Sequence, residues 1–305
     1  MKLTPQQYQQ LREFFDKTNF STAGAVITDL DGTAIHEYKG KYSVPKSVEF
    51  GLKKIHDLGR PVVINTLRFP LSVIRTFGKE WYKISNAPVP TVLMNGSQLG
   101  YMVEGKEGVL GYEEIAAFPL QESEIDEALV SVKDLAKNGI NDLLVFYYPR
   151  DWTKGEIIWT PVQKKIGAVQ NKYRSASLVY SSDANMLCDA LKNEDICMIF
   201  LLIEIPQDKL MAYQHTKKSS FFTHIGVDKL FGAKQISEKL NFDLEHSVGA
   251  GDTEMDTFLK GVGMAIHVGN NILPYHGNFP SLHVFGSSEL GELLFELAAM
   301  QKTAK

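Results

Sequence analysis

Short apolar runs alternate with amphipathic stretches along the first hundred residues of the chain. Runs at residues 25–29, 61–66 and 91–95 have the length and the mainly apolar character of buried strands. Helical spacing is found between them, at residues 45–58 and 69–81. Strands that are apolar on both faces and separated by helices predict a doubly wound parallel sheet.

The pattern changes after residue 96, where strand-like and helix-like segments no longer alternate regularly. Residues 97–115 have the composition of a hairpin, and further segments follow that predict helices at 121–137 and 183–192 and strands at 143–148, 157–160 and 196–205. This stretch is typical of a separate α+β module inserted into the first domain.

The parallel-sheet pattern resumes near Phe221. It predicts helices at 229–240, 252–260 and 288–300 and strands at 246–251, 264–268 and 282–285. We therefore expect an α/β fold with a Rossmann-like core at residues 23–96 and 219–305. An inserted α+β cap domain should occupy residues 97–218, and residues 1–22 should form a helical extension.

Composition excludes some classes of partner. The 305 residues carry a formal net charge of -4, whereas a dedicated nucleic-acid binder needs a basic face. The first residues contain no apolar signal segment, and the longest apolar run, at 196–205, is about half the length that spans a bilayer. We expect a cytoplasmic protein that binds neither nucleic acid nor membrane, and the sequence leaves its oligomeric state open.

Two carboxylates follow the first predicted strand. Asp29 and Asp31 lie two residues apart, and Gly32 follows them. In open α/β sheets the binding crevice lies at the carboxyl ends of the strands, so both side chains should face it. Gly32 permits a tight turn and a close approach of the backbone to an anionic ligand. Paired aspartates are also common in ordinary turns, so this segment alone favours neither function nor structure.

Further polar residues follow other predicted strands or begin helices. Thr66 ends the second strand and Arg68 follows it, Lys229 begins a late helix, and Asp252 and Asp256 follow another strand. Each residue has an ordinary structural explanation, such as a helix cap or a solvated charge. Their order and spacing together are much more specific.

The set resembles the four motifs of the haloacid dehalogenase superfamily of phosphatases. The matching segments are Asp29-Leu30-Asp31-Gly32-Thr33, Asn65-Thr66-Leu67-Arg68, Gly226-Val227-Asp228-Lys229 and Gly251-Asp252-Thr253-Glu254-Met255-Asp256. The long insertion resembles the large cap of the Cof-type sugar-phosphatase branch, which Met94-Asn95-Gly96 and Val268-Gly269-Asn270 also match. The resemblance covers residues 24–300.

The resemblance implies a catalytic role for four residues. Asp29 would be the nucleophile that forms an aspartyl-phosphate, and Asp31 would be the general acid and base. Thr66 and Lys229 would bind the phosphoryl group, with Gly32 beside them.

The resemblance also implies a metal site and supporting residues. Mg²⁺ would bind Asp29, the backbone carbonyl of Asp31, and Asp252. Asp256, Arg68 and Asn65 would support these groups or contact the substrate.

Two departures from the family pattern leave the substrate open. Leu67 stands where the family often has glycine, and Met255 stands where the cap-bearing branch usually has asparagine. We expect a Mg²⁺-dependent phosphatase that hydrolyses small phosphorylated metabolites, with sugar phosphates as the expected substrate class. The alternatives are a non-catalytic protein that binds phosphorylated metabolites on the same fold, and a phosphotransferase to an alcohol acceptor.

Overall fold

Strands and helices alternate through most of the chain in the computed structural model, which describes residues 3–38, 41–140, 142–203 and 219–303. The strands are β1 (Val26–Thr28), β2 (His36–Tyr38), β3 (Lys41–Ser43), β4 (Val62–Asn65), β5 (Val89–Leu93), β6 (Gln98–Glu104), β7 (Leu110–Ala117), β8 (Leu143–Pro149), β9 (Ile157–Thr160), β10 (Leu178–Ser181), β11 (Ile196–Ile203), β12 (Ser219–Phe222), β13 (Val248–Gly251), β14 (Met264–Val268) and β15 (Leu282–Val284). The α-helices are α1 (Pro5–Lys17), α2 (Phe20–Ala23), α3 (Lys46–Asp57), α4 (Pro70–Val73), α5 (Lys79–Ser85), α6 (Glu122–Lys137), α7 (Ile166–Lys172), α8 (Ala184–Lys192), α9 (Lys229–Leu240) and α10 (Ser287–Thr303).

The chain divides into two compact units. Unit one consists of Met1–Arg68, Val73–Ala116 and Val227–Lys305, and unit two consists of Phe69–Ser72 and Ala117–Gly226. In chain order, the second unit is thus inserted into the first.

Unit one is built on an eight-stranded sheet with the order β15-β14-β13-β1-β4-β5-β6-β7. Strands β15 to β5 in this order run parallel to one another, and β6 pairs with β5 in the antiparallel direction. Every residue of β1, β4, β13 and β14 is buried, which explains their largely apolar sequences. The predicted α/β fold with a parallel core sheet is confirmed.

Helices pack around this sheet through close contacts. A Cβ atom added at Gly51 of α3 would lie 2.7 Å from the Leu294 Cβ of α10, and one at Gly291 would lie 2.4 Å from a backbone carbon of Ser47. Glycine at both positions therefore lets the two helices approach. Helix α1 buries Leu11 and Phe14, so the described part of the N-terminal extension packs into unit one.

The predicted edges of the insertion differ from those of unit two. Residues 98–117 form β6 and β7, which extend the sheet of unit one because β6 pairs with the edge of β5. At the other end, the prediction that the parallel sheet resumes near Phe221 is wrong. Strand β12 pairs with β11 of unit two in the antiparallel direction, and unit one resumes only at Val227.

Unit two contains a five-stranded sheet with the order β10-β9-β8-β11-β12. Alternate residues of β8 face a core that also includes Ile125 and Leu129 of α6 and Leu187 of α8. The predicted strand at 196–205 forms over Ile196–Ile203, and residues 204 and 205 lie outside the described part. Helix α7 and strand β10 do not follow from the sequence pattern.

Two predicted helices form only in part. The stretch 69–81 contains α4 and α5 joined by a π-helical turn at Ile74–Gly78. The helix predicted at 252–260 is wrong, since only a 3₁₀ helix forms at Thr257–Lys260. Within the described residues, no helix has both the length and the apolar character needed to cross a membrane.

Candidate active site

The predicted site residues of unit one follow three neighbouring strands. Asp29 follows β1, Thr66 follows β4, and Asp252 follows β13. Strand β1 lies between β4 and β13 and runs parallel to both, so the three carboxyl ends lie side by side. This is the edge at which an open α/β sheet binds its ligands.

Lys229 joins two of the aspartates. Its Nζ atom donates to Asp29 Oδ1 at 2.7 Å and to Asp256 Oδ1 at 2.6 Å. All three residues are buried, with exposed fractions of 2%, 5% and 0% for Lys229, Asp29 and Asp256. A buried cation between two buried carboxylates is a costly arrangement that is retained where geometry and hydrogen bonding compensate it.

Asp256 is fixed from its other side as well. Its Oδ2 atom accepts hydrogen bonds from the backbone N–H groups of Asp252 and Thr253, each at 2.9 Å. A Cβ atom at Gly251 would lie 2.6 Å from Asp256 Cγ, so only glycine allows this carboxylate to fold back against the strand end. These contacts turn residues 252–256 into a loop, which explains why the predicted helix does not form.

Burial controls the ionisation of the two central groups. It raises the pKa of Asp29 to about 7, although the charge and hydrogen bond of Lys229 oppose the shift. Burial alone would lower the pKa of Lys229, but the negative charges of Asp29 and Asp256 outweigh it and raise that pKa. The lysine therefore remains an ammonium group, and a further cation beside Asp29 would favour its ionised form.

Asp252 lies opposite the turn that carries Gly32. Gly32 has a φ of +78°, and a Cβ atom there would lie 2.1 Å from Asp252 Oδ2. Thr33 Oγ1 donates to Asp252 Oδ1 at 3.1 Å. Burial and the nearby charge of Asp256 raise the pKa of Asp252 to about 6. Gly32 thus leaves room for the Asp252 carboxylate, whose negative charge is not fully balanced by nearby positive charge.

The donor atoms fit a hard divalent cation. Carboxylate oxygens of Asp29, Asp252 and Asp256 all lie within 4.8 Å of one another. Among the described residues, Asp256 has both oxygens engaged, Asp29 has one oxygen without a hydrogen-bond donor, and Asp252 accepts from a side chain at Oδ1 alone. Oxygen ligands of this type suit Mg²⁺, so Asp29 and Asp252 are the better ligands and Asp256 supports Lys229.

Asp31 is held by Arg68. The guanidinium donates from Nε to Oδ2 at 2.6 Å and from Nη2 to Oδ1 at 2.7 Å, which is a bidentate ion pair. The Arg68 guanidinium carbon also lies 5.0 Å from the ring centre of Phe77 in the π-helical turn. Arg68 therefore engages both carboxylate oxygens of Asp31.

Asn65 and Thr66 have different surroundings. The Asn65 side chain is fully buried, and its Nδ2 atom donates to the backbone carbonyl of Lys229 at 2.9 Å. Thr66 Oγ1 accepts from the Arg68 N–H at 3.3 Å. Asn65 therefore contacts the backbone of Lys229, while Thr66 contacts the backbone of Arg68, the residue that holds Asp31.

Two residues that support the site, Thr33 and Asp228, were not predicted from the sequence. Thr33, which orients Asp252, was part of the first motif without an assigned role. Asp228 accepts from the N–H of Phe231 at 2.8 Å and so caps α9, which places Lys229 at the first helical position. An aspartate immediately before a helix is a recognisable N-cap signal, and it could have identified Asp228.

Comparisons with known proteins identify the family of the chain. The sequence profile of the haloacid dehalogenase-like hydrolases matches residues 26–273, which is most of the chain. The chain belongs to the haloacid dehalogenase-like hydrolase family. No curated protein sequence matches it closely enough to add a relative.

Several solved structures share the fold of this hydrolase. A haloacid dehalogenase subclass IIB sugar phosphatase is 15% identical over 88% of this chain and 97% of its own, with a TM-score of 0.61. A phosphatase of the superfamily from Bacteroides thetaiotaomicron is 16% identical over 91% and 96% of the two chains, with a TM-score of 0.62. A HAD/COF-like hydrolase from Plasmodium vivax is 17% identical over 97% and 100%, with a TM-score of 0.64.

Proposed function

We propose that this hydrolase is a Mg²⁺-dependent phosphatase that acts on small phosphorylated metabolites through an aspartyl-phosphate on Asp29. The observation that carries the proposal is the buried Asp29 carboxylate, which accepts a hydrogen bond from Lys229 at one oxygen and, within the part of the chain that the structure describes, has no donor at the other. A carboxylate placed in this way can act as a nucleophile, and the adjacent ammonium can bind the group that it attacks.

The first half of the reaction transfers the phosphoryl group to the protein. An Asp29 oxygen attacks phosphorus as the bond between phosphorus and the ester oxygen breaks, and Asp31 gives a proton to the leaving alcohol. The Lys229 ammonium offsets the negative charge of the phosphoryl oxygens, and the Thr66 hydroxyl donates a hydrogen bond that orients them. The ion pair with Arg68 opens to release the Asp31 oxygen that carries the proton.

The second half returns Asp29 to its starting form. Asp31, now a carboxylate, takes a proton from a water molecule that attacks phosphorus, and the bond to the Asp29 oxygen breaks. Inorganic phosphate leaves. Asp256 keeps the Lys229 ammonium in place throughout, because its other oxygen is anchored to two backbone N–H groups.

Asp29, Asp252 and the backbone carbonyl of Asp31 would hold the Mg²⁺ ion. When bound, the ion supplies positive charge that offsets the phosphoryl oxygens and the carboxylates. Gly32 supports this arrangement because a side chain there would occupy the place of the Asp252 carboxylate.

We further propose that the substrate is a sugar phosphate and that unit two is the cap domain expected from the sequence. Support comes from the structural neighbour described as a subclass IIB sugar phosphatase, which covers most of this chain. At that level of identity the neighbour supports the fold and leaves the particular sugar to experiment.

The test is release of inorganic phosphate from a panel of sugar phosphates, phosphoglycerate esters, nucleotides and an aryl phosphate, with and without Mg²⁺. We expect metal-dependent hydrolysis that Asp29→Asn abolishes. Asp16→Asn, at a half-exposed position of α1, is the matched control and should retain activity. Thermal stabilisation by these compounds without phosphate release would favour a binding protein, and phosphate found on a competing alcohol would favour a phosphotransferase.

A further inference from the structure

Three consecutive residues after β5 adopt the left-handed backbone conformation. Met94, Asn95 and Gly96 have φ values of 49°, 58° and 95°. This conformation is routine for glycine and tolerated by asparagine, but it is costly for a methionine. Strain of this kind persists only where the surrounding structure enforces it, and it is concentrated at functional sites.

Two backbone hydrogen bonds tie this turn to the second motif. The N–H of Met94 donates to the carbonyl of Arg68 at 3.2 Å, and the N–H of Asn95 donates to the carbonyl of Thr66 at 3.4 Å. Met94 is also fully buried. The turn is therefore anchored to the segment that carries Thr66 and Arg68.

The other side of the turn lies against the beginning of α9. A Cβ atom on Gly96 would lie 2.1 Å from the carbonyl oxygen of Asp228, and one on Gly232 would lie 2.9 Å from Gly96 Cα. The two backbones thus pack directly on each other. Asn65 adds a buried hydrogen bond to the carbonyl of Lys229, so the first residue of α9 is held from the β4 side as well.

We infer that the Met94–Gly96 turn and Asn65 form a brace that sets the position of the Lys229 ammonium relative to Asp29. The brace fixes the start of α9, and Lys229 is the first residue of that helix. Its ammonium lies 2.7 Å from Asp29 and 2.6 Å from Asp256, distances that a small shift of the helix would break. Gly96 and Asn65 are therefore positioning residues, an inference that rests on the proposed function of Lys229.

Gly96→Ala tests the brace directly. The added Cβ atom cannot fit beside Asp228, so the start of α9 has to move. A misplacement of about 1 Å at a reacting group costs about 100-fold in rate, and we expect a loss of kcat of that order. Gly59→Ala is the matched control, since Gly59 has a φ of +86° and no atom within 4 Å of its added Cβ. It carries similar backbone strain and should retain its kcat.

A double-mutant cycle separates positioning from general damage. If Gly96 acts through Lys229, Gly96→Ala lowers kcat in the wild-type background but causes no further loss in a Lys229→Met background. Asn65→Ala should behave in the same way with a smaller loss, and it introduces no clash if Gly96→Ala does not fold. The inference is overturned if the loss of kcat in the double mutant equals the product of the two single losses. It is also overturned if the kcat of Gly96→Ala lies within about threefold of the wild-type value.

A crystal structure of Gly96→Ala distinguishes failure of the brace from failure of the proposed function. The inference predicts that the distance from Lys229 Nζ to Asp29 Oδ1 lengthens by about 1 Å or more, as the rate argument requires. An unchanged distance contradicts the brace even if the wild-type protein hydrolyses no phosphate ester. If Gly96→Ala does not fold, the distance from Lys229 Nζ to Asp29 Oδ1 is measured in Asn65→Ala instead.

Discussion

Asp29 is predicted to destabilise the metal-free protein at neutral and alkaline pH. The side chain is buried, and burial raises its pKa from 3.8 to about 7. The folded protein therefore binds a proton that the unfolded chain has already lost between these two pH values. Asp29 costs no stability below its unfolded pKa, and the cost grows as the pH rises towards 7.

The size of the effect follows from the pKa shift. A shift of about three units at about 1.4 kcal/mol per unit gives about 4 kcal/mol above pH 7. Asp29→Asn replaces the carboxylate with a neutral amide of nearly the same shape. We therefore expect this inactive variant to be more stable than the wild type at pH 8 by an amount of that order, and to show little advantage at pH 4.

The assay is urea or thermal unfolding of both proteins in the presence of a chelator at matched pH values from 4 to 8. Comparing variants at the same pH cancels the other titrating groups. The stability difference should increase with pH and should shrink when Mg²⁺ is added at pH 8, because the ion stabilises the charged wild-type site. A stability difference between the two proteins that does not change with pH would refute the claim that burial raises the pKa of Asp29.

Three further substitutions probe the groups around Asp29. Gly32→Ala should weaken activation by Mg²⁺ at least tenfold, because the added Cβ lies 2.1 Å from an Asp252 oxygen, and a Mg²⁺ titration of activity measures this. Arg68→Ala removes the ion pair that has to open before Asp31 gives its proton, so it should raise kcat for alkyl phosphates, whose leaving groups need a proton, more than for aryl phosphates. Asp256→Asn removes the negative charge beside the Lys229 ammonium group, so on the proposed mechanism it should lower kcat about 10- to 100-fold in steady-state assays.

Each of these expectations has a contrary outcome. An unchanged Mg²⁺ requirement in Gly32→Ala would mean that Asp252 is not a ligand. An equal change of kcat on alkyl and aryl esters in Arg68→Ala would mean that Arg68 does not act through Asp31. Wild-type kcat in Asp256→Asn would mean that its contact with the ammonium group has no part in the reaction.

The core fold could be predicted because its strands are largely apolar. Runs such as 61–66 are short, bounded by turn residues and separated by amphipathic helices, and that pattern is specific for a buried parallel sheet. The placement of Asp29, Thr66 and Asp252 at one edge follows from the same pattern, since parallel strands end on the same side. Local sequence therefore determined where these residues lie along the sheet.

Other features depend on contacts between distant segments. Residues 98–117 have the composition of a hairpin in either unit, and only their pairing with the edge of β5 assigns them to the core sheet. The loop at 252–256 looks helical until Asp256 accepts from two backbone N–H groups. The pairing of Asp31 with Arg68 and the burial of Asn65 against Lys229 likewise have no local signal.

The most direct measurement of the central proposal is identification of the phosphorylated residue during turnover. The protein is mixed with Mg²⁺ and a substrate, quenched rapidly in acid, digested and mapped by mass spectrometry. The proposal predicts a transient phosphoryl group on Asp29, formed and lost at rates compatible with kcat and absent in Asp29→Asn. Turnover without a phosphorylated protein, or with the phosphoryl group on another residue, would contradict it.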